Sequence, residues 1–391
     1  MAGETGGPED RYLMFKAVER ELKEMKNSIK VQRAMHDMTQ QELADRAGIT
    51  RSSVSVHISN LMKKGMIQGK GYVVQKRPYA VVVGGVNMDI AGYASGEVVP
   101  HDSNPGRVEH TAGGVGRNEA HGMRLLGLDV KLVTAFGDDL YAEKLRQNCR
   151  DLGIDVKDAI TVVNAATSTY LSVVDHRGDP VVGISSMDIY EHLTPALLAQ
   201  RMGVINRAHT CVVDTNLTED ALRFLADNCR VPLFAETISV AKAHKLRGIL
   251  DRIDTLKADR LEVQLLLGRE PDEKADVEVT ARQLLDRGVR HVYITLSSGA
   301  YCADETGAWR LPGYPAEVVN KTGARDSFMA ALVWARMRGM DLRESACAGL
   351  AAAGICTAGE PVVNEELSEQ YMLEVMQGTR KITASKTRYF L

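Results

Sequence analysis

From Tyr79 onward, short apolar runs alternate with amphipathic helical stretches, and no other feature of the chain restricts its fold as strongly. The runs are "YAVVVGGVNMDIAG", "VKLVTAFG", "HTCVVDTN", "VPLFAET", "DTLKAD" and "HVYITLSS". Buried-type strands separated by helices predict a doubly wound α/β domain with a largely parallel sheet. Ligands in such folds sit beyond the carboxyl ends of the strands. Two stretches interrupt the rhythm, "AGYASGEVVPHDSNPGRVEHTAG" and "STYLSVVDHRGDPVVGIS". They read as antiparallel strands near 91–112 and 168–186 that form a small β lid over that edge, and the lid is where a homodimer is expected to form.

Residues 1–77 have another texture. The first ten are small and acidic and read as a disordered lead-in. Between Arg11 and Met38, apolar residues recur at Leu13, Phe15, Val18, Leu22 and Met25 with helical spacing. Thr39 with Glu42 forms a capping box that opens a helix through Ala47, and Gly48 ends it in a tight turn. Thr50 caps a second helix, with Val54, Ile58, Leu61 and Met62 facing inward and Arg51, Ser52, Ser53, Ser55 and His57 facing out. "MIQGKGYVV" then reads as a hairpin with a Gly-Lys-Gly tip. The whole, 11–77, resembles a winged helix-turn-helix, and the resemblance implies a DNA partner: the polar helix enters the major groove while Lys63, Lys64 and Lys70 meet phosphates. A dimerisation or docking module with a solvated polar face stands as the alternative. Charge leans toward DNA, with 14 Lys/Arg against 9 Asp/Glu in residues 1–77 and 34 against 42 in the remainder.

Other classes are disfavoured by composition. The six cysteines, at 149, 211, 229, 302, 347 and 356, show no zinc-finger or paired spacing, which points to a reducing compartment. No apolar run is long enough to span a membrane, and the opening "MAGETGGPEDRYLMF" is not of the secretory kind. A cytoplasmic protein with no membrane partner is expected.

Three constellations fall at strand ends after the linker "KRPYA". "GGVNMD" puts Asn87 and Asp89 just past the first strand. "AGGVGRNEA" is a glycine-rich turn that enters a helix carrying Asn118. Glycines let a ligand approach the backbone, and Asp and Asn can hold vicinal hydroxyls by paired hydrogen bonds. In "VNKTGARDSFMAAL" the amides of Gly323, Ala324, Arg325 and Asp326 project from a helix N-terminus, suited to a phosphoryl group, and Asp326 can take a hydroxyl proton. Taken singly, each could be a plain strand-to-helix turn.

Together and in this order they resemble the ribokinase or PfkB family of carbohydrate and nucleoside kinases over about residues 78–375, within a domain bounded at 78–380. Gly113, Gly114, Gly116 and Asn118 match the N-terminal signature of the family; Thr322, Gly323, Ala324 and Asp326 match its T-G-A-G-D signature. "DSNPGRVEHTAGGVGRNEAHGMRLLG", "TSTYLSVVD" and "TLKADRLE" are similar to pseudouridine kinases and to related nucleoside kinases with an N-terminal helix-turn-helix. The resemblance implies a ribokinase-like fold, ATP as donor, magnesium as cofactor and potassium as a second ion. It makes Asp326 the catalytic base, Gly323, Ala324 and Arg325 the anion hole, and Asn87, Asp89, Gly113, Gly114 and Asn118 the acceptor contacts. Glu262 matches the acidic residue of an N-x-x-E motif that acts near magnesium and phosphate. Thr295, Ser297 and Gly299 belong to the nucleotide-binding loop, and Asn320 and Thr322 are placed near potassium. The implied acceptor is the 5'-hydroxyl of a ribosyl compound, either a nucleoside such as pseudouridine or a sugar.

Three positions depart from the pattern, all on the donor side. Asp259 stands for the motif's asparagine. The loop "ITLSSGAYC" is one residue short, with Ser297 for its first glycine. Arg325 replaces the second glycine of the anion-hole turn, where an arginine would resist a positive φ. Its side chain would either add charge beside the phosphates or fill the nucleotide pocket. A regulator that senses a nucleoside or sugar without turnover is therefore the alternative to an active kinase.

Overall fold

The computed structural model describes residues 50–63, 67–68, 73–74, 78–177 and 179–384. The chain divides into two compact units, Met1–Arg77 and Pro78–Leu391.

In the first unit α1 spans Arg51–Lys63, followed by the antiparallel pair β1 (Ile67–Gln68) and β2 (Val73–Val74). The Thr50 hydroxyl accepts from the Ser53 amide at 3.2 Å, the cap expected at that helix start. Arg51, Ser52, Ser55 and Lys63 are exposed on α1. The expected lead-in, the helices before Gly48, Lys64, Lys70 and the Gly-Lys-Gly tip lie outside the described residues, as do the side chains of Val54, His57, Ile58, Leu61 and Met62.

The second unit is built on an eight-stranded sheet. Its strands are β3 (Tyr79–Val83), β6 (Asp129–Val133), β11 (Thr210–Asp214), β12 (Leu233–Glu236), β13 (Thr255–Asp259), β14 (His291–Leu296), β15 (Gly299–Ala303) and β16 (Ala308–Pro312), in the order β16-β15-β14-β13-β12-β11-β3-β6. Pairings from β6 through β14 are parallel; β15 and β16 add antiparallel strands at one edge, so the sheet is mixed. Both faces are covered. Ala80 and Val82 of β3 enter one apolar cluster and Val81 and Val83 the other, as strand alternation requires. The first cluster holds α2 (Val115–Leu125), α7 (Ala324–Met337) and α8 (Leu342–Thr357) against the sheet; the second holds α4 (Glu219–Asn228) and α6 (Val277–Asp286). Phe328 and Trp334 are fully buried on α7, and burial of this kind is typically worth about 3–5 kcal/mol per aromatic side chain on truncation to Ala, which pins the helix N-terminus in place.

A second sheet has the order β10-β9-β4-β5, from β4 (Asn87–Ala94), β5 (Gly106–Gly113), β9 (Thr169–Val174) and β10 (Pro180–Ser186). This is the lid. It differs from expectation in two respects: β4 begins at Asn87, so Asn87 and Asp89 lie on the lid itself, and β4 pairs with β9 in parallel. Among the described residues, no helix is long and apolar enough to cross a membrane.

Candidate active site

On the side expected to hold the acceptor, the chain turns at Gly84 and Gly85 after β3 and enters the lid at β4. Asp214, fully buried at the end of β11, holds this turn by accepting from the amides of Gly85 at 2.7 Å and Gly116 at 3.1 Å. A Cβ on Gly84 would lie 2.4 Å from the Asp214 carboxylate, so glycine is required there. Asn87 pairs with Gly113 across β4 and β5, and a Cβ on Gly113 would stand 2.0 Å from an Asp89 oxygen. Asp89 accepts from Asn87 Nδ2 at 2.5 Å. Burial pushes its carboxyl up to about 6, against the lowering effect of that bond and of the Arg117 charge.

Gly114, at φ 98°, starts α2 and directs Asn118 inward. Asn118 Nδ2 donates to Asp326 Oδ2 at 2.9 Å. Arg117, buried beside it, donates to Asn118 Oδ1 at 3.0 Å and to Asn148 Oδ1 at 2.8 Å. A guanidinium can only donate, so Arg117 fixes which end of the Asn118 amide faces Asp326.

Asp326 is the third residue of α7. Gly323 caps that helix at φ 80°, and a Cβ there would lie 1.7 Å from the Val362 carbonyl oxygen. The following amides, Ala324, Arg325 and Asp326, are among the first of a helix and have no intrahelical acceptor, which makes them a cradle for an anion. Burial, and then the Glu236 charge, raise the Asp326 carboxyl to about 6, opposed by the Asn118 bond, Lys257 and Arg325. A carboxyl poised there can accept a proton near neutral pH.

Arg325 has ordinary helical geometry, since within this turn only Gly323 takes a positive φ. The turn thus tolerates an arginine, and its amide stays in the cradle. The side chain runs to the carboxyl edge of the sheet and grips Glu262 with both Nη atoms, at 2.8 and 2.7 Å. It also reaches Glu236 at 3.1 Å and Asp259 at 3.3 Å. Glu236 is held on its other side by the fully buried Lys257 at 2.5 Å, and Glu262 accepts from the Thr237 hydroxyl at 2.5 Å. Asp259 caps α5 (Arg260–Leu266) in a capping box with Glu262. Burial raises the Glu262 carboxyl, but Arg325, by hydrogen bond and charge, more than offsets this and leaves it below its usual range.

Over residues 77–364 the chain matches the pfkB family of carbohydrate kinases. It belongs to that family. It is thus a sugar or nucleoside kinase, a phosphotransferase with an alcohol acceptor. Residues 17–79 match the Crp-like helix-turn-helix domain. The chain is 37% identical over 342 residues to the uncharacterised sugar kinase YeiI of Escherichia coli (strain K12), covering 86% of this chain and 94% of the relative. It is 33% identical over 308 residues to a pseudouridine kinase of the same organism, covering 78% of this chain and 98% of that one. Among solved structures, a carbohydrate kinase from Agrobacterium tumefaciens aligns with a TM-score of 0.69 at 28% identity over 77% of this chain and 97% of its own. The Arabidopsis thaliana ribokinase complexed with ribose and ATP aligns with a TM-score of 0.70 at 20% identity over 77% of this chain and 99% of its own, a likeness of fold.

Three more of the expected residues of this PfkB kinase, Thr295, Ser297 and Gly299, lie where β14 turns into β15. Thr295 pairs in register with Asp259, and its hydroxyl donates to the Ala258 carbonyl at 3.4 Å. Ser297 and Ser298 are the two-residue tip of the β14–β15 hairpin, in which Leu296 faces Gly299; this is the physical form of the shortened loop. Asn320 accepts from the Thr322 amide of its own loop at 2.9 Å and donates to the Glu360 carbonyl, beyond α8, at 2.8 Å. Kinases of this family use ATP with Mg2+, and Glu262 was the residue expected near the ion. Here both Glu262 oxygens and one Asp259 oxygen are bonded to Arg325, and among the described residues no group of three or more His, Cys, Asp or Glu is set to hold a metal. A metal held directly by these carboxylates does not fit the side chains as they stand.

Four residues of the site escaped sequence reasoning: Asp214, Glu236, Lys257 and Glu119. Glu119 is fully buried, neither of its oxygens has a hydrogen-bond partner among the described residues, and burial followed by the charges of Glu236, Asp326 and Asp214 raises its carboxyl well above the usual range. One signal was available for the first two. β11, β12 and β13 each end in a carboxylate, Asp214, Glu236 and Asp259, at the edge where ligands bind in such folds.

Proposed function

We propose that the second unit transfers the γ-phosphate of ATP to the 5'-hydroxyl of a ribosyl compound, with pseudouridine or another nucleoside as acceptor and a free sugar as the fallback. The observation that carries this reading is the Asn118–Asp326 hydrogen bond of 2.9 Å, which joins the lid-side acceptor residues to the base and its anion cradle. Asn87, Asp89 and Asn118 hold the acceptor hydroxyls over the bare backbone of Gly113 and Gly114. Asp326 takes the proton as the hydroxyl oxygen bonds to phosphorus and the bond to the leaving ADP breaks. The amides of Ala324, Arg325 and Asp326 meet the charge on the phosphoryl oxygens. Thr295, Ser297 and Gly299 border the nucleotide, potassium beside Asn320 and Thr322 belongs to the same reading, and two copies pair through the lid.

The test is a panel of nucleosides and sugars with ATP, Mg2+ and either KCl or NaCl, read as ADP release. At least one acceptor should be phosphorylated, faster in KCl. Asp326→Asn should lower turnover by about 10²–10⁴-fold while leaving acceptor binding by calorimetry nearly intact. Acceptor binding without turnover on the whole panel would favour a second reading, a DNA-binding regulator that senses its ligand. Two observations support that reading: the Crp-like domain over residues 17–79 and the Arg325 guanidinium seated among the donor-side carboxylates.

A further inference from the structure

Bare, Glu236, Asp259 and Glu262 would repel one another at the carboxyl edge of the sheet, and Glu236 and Glu262 are each 1% exposed. Two cations hold them. Lys257 comes from the middle of β13 and takes Glu236; Arg325 comes from the first turn of α7 and touches all three. The contact with Glu262 is a two-pronged fork, the geometry in which a guanidinium binds a carboxylate most specifically. Two of the departures noted in the sequence, an added negative charge at Asp259 and an added positive charge at Arg325, meet here at 3.3 Å. Without Arg325 the Asp259 carboxylate would lose this cation while standing beside Glu262, so the added negative charge is matched by the added positive one.

We propose that Arg325 is a resident cation. Its guanidinium does for the acidic trio what a protein-held divalent ion would do, so the protein binds no free divalent ion on the donor side. Any such ion then enters already attached to the nucleotide phosphates. The backbone N–H of Arg325 remains in the anion cradle, so one residue serves the donor twice, through its amide and through its charge. The inference rests on the donor-side reading given above, but its test needs no turnover.

Mn2+ is the probe, added to the full-length protein without nucleotide and followed by the electron paramagnetic resonance signal of the free ion. Wild type should leave the signal unchanged. Arg325→Gly should reduce it by taking up Mn2+, and Arg325→Gly with Glu262→Gln should restore it. Arg325→Gln, which keeps most of the side-chain volume and removes the charge, is the companion variant should the glycine variant fail to fold, and circular dichroism reports folding for each. Uptake of Mn2+ by wild type that is lost in Glu262→Gln would overturn the proposal. So would a folded Arg325→Gly or Arg325→Gln that leaves Mn2+ as free as wild type does. A wild type that phosphorylates nothing in the acceptor panel counts against the proposed acceptor alone, because Mn2+ uptake by the Arg325 variants is read without turnover.

Discussion

At Asp326, the proposed role as base and the stability of the fold pull in opposite directions. Its carboxyl and that of Asp89 are each raised to about 6 from 3.8. The folded protein therefore holds more protons than the unfolded chain between about pH 4 and 6. Stability from these two groups falls as pH rises through that window, and the penalty is fully present above it. A shift of two units corresponds to at most about 3 kcal/mol, less where neighbouring charges are coupled. Asp326→Asn removes the buried charge and keeps a group that can accept from Asn118. It should raise Tm by a few degrees at pH 7.5 and by little at pH 5. An equal gain at both values would show that ionisation of Asp326 is not the source. In the wild type, kcat should decline below about pH 6 as Asp326 becomes protonated, and KM should rise over the same range as Asp89 does.

Among the elements, the lid presents the clearest unmet surface. Tyr170 and Leu171 are neighbours on β9 and therefore point to opposite faces, yet both are exposed; on β10, Val182 and Ile184 are exposed as well. β10 is moreover an edge strand with open backbone groups. If a second copy covers this surface, Ile184→Lys should convert a dimer to a monomer in sedimentation velocity, and a monomeric wild type would rule the arrangement out. The main sheet was legible because whole strands are apolar: Ala80 to Val83 are all buried, and so are Cys211 to Val213. The lid was legible as an interruption of that texture, though where β4 began was not, because Asn87 and Asp89 look like loop residues until their pairing with β5 is seen. The carboxylate cluster around Arg325 was largely hidden. Arg325 meets carboxylates 63, 66 and 89 positions away, and no local pattern shows where a long side chain will reach. Asp214 and Glu236 end apolar runs, and a single sequence does not separate a strand-end carboxylate that turns inward from one that turns to water.

The molecule as a whole joins two units of opposite charge, about +5 over residues 1–77 and −8 over the rest. A basic first unit with Arg51, Ser52 and Ser55 exposed on α1 suits a DNA backbone and groove, and the match to a Crp-like helix-turn-helix domain supports the same partner. In a mobility-shift assay, binding should weaken steeply between low and moderate salt and be reduced by Arg51→Ala. No shift at low salt would favour docking or dimerisation instead. The Asn118–Asp326 bond has a bearing on biosynthesis. It spans 208 positions, so at translation rates of about 5–20 residues per second its two ends leave the ribosome about 10–40 s apart. Throughout that interval the residues matched to the helix-turn-helix domain and the lid strands β4 and β5 are already made while Asp326 is not.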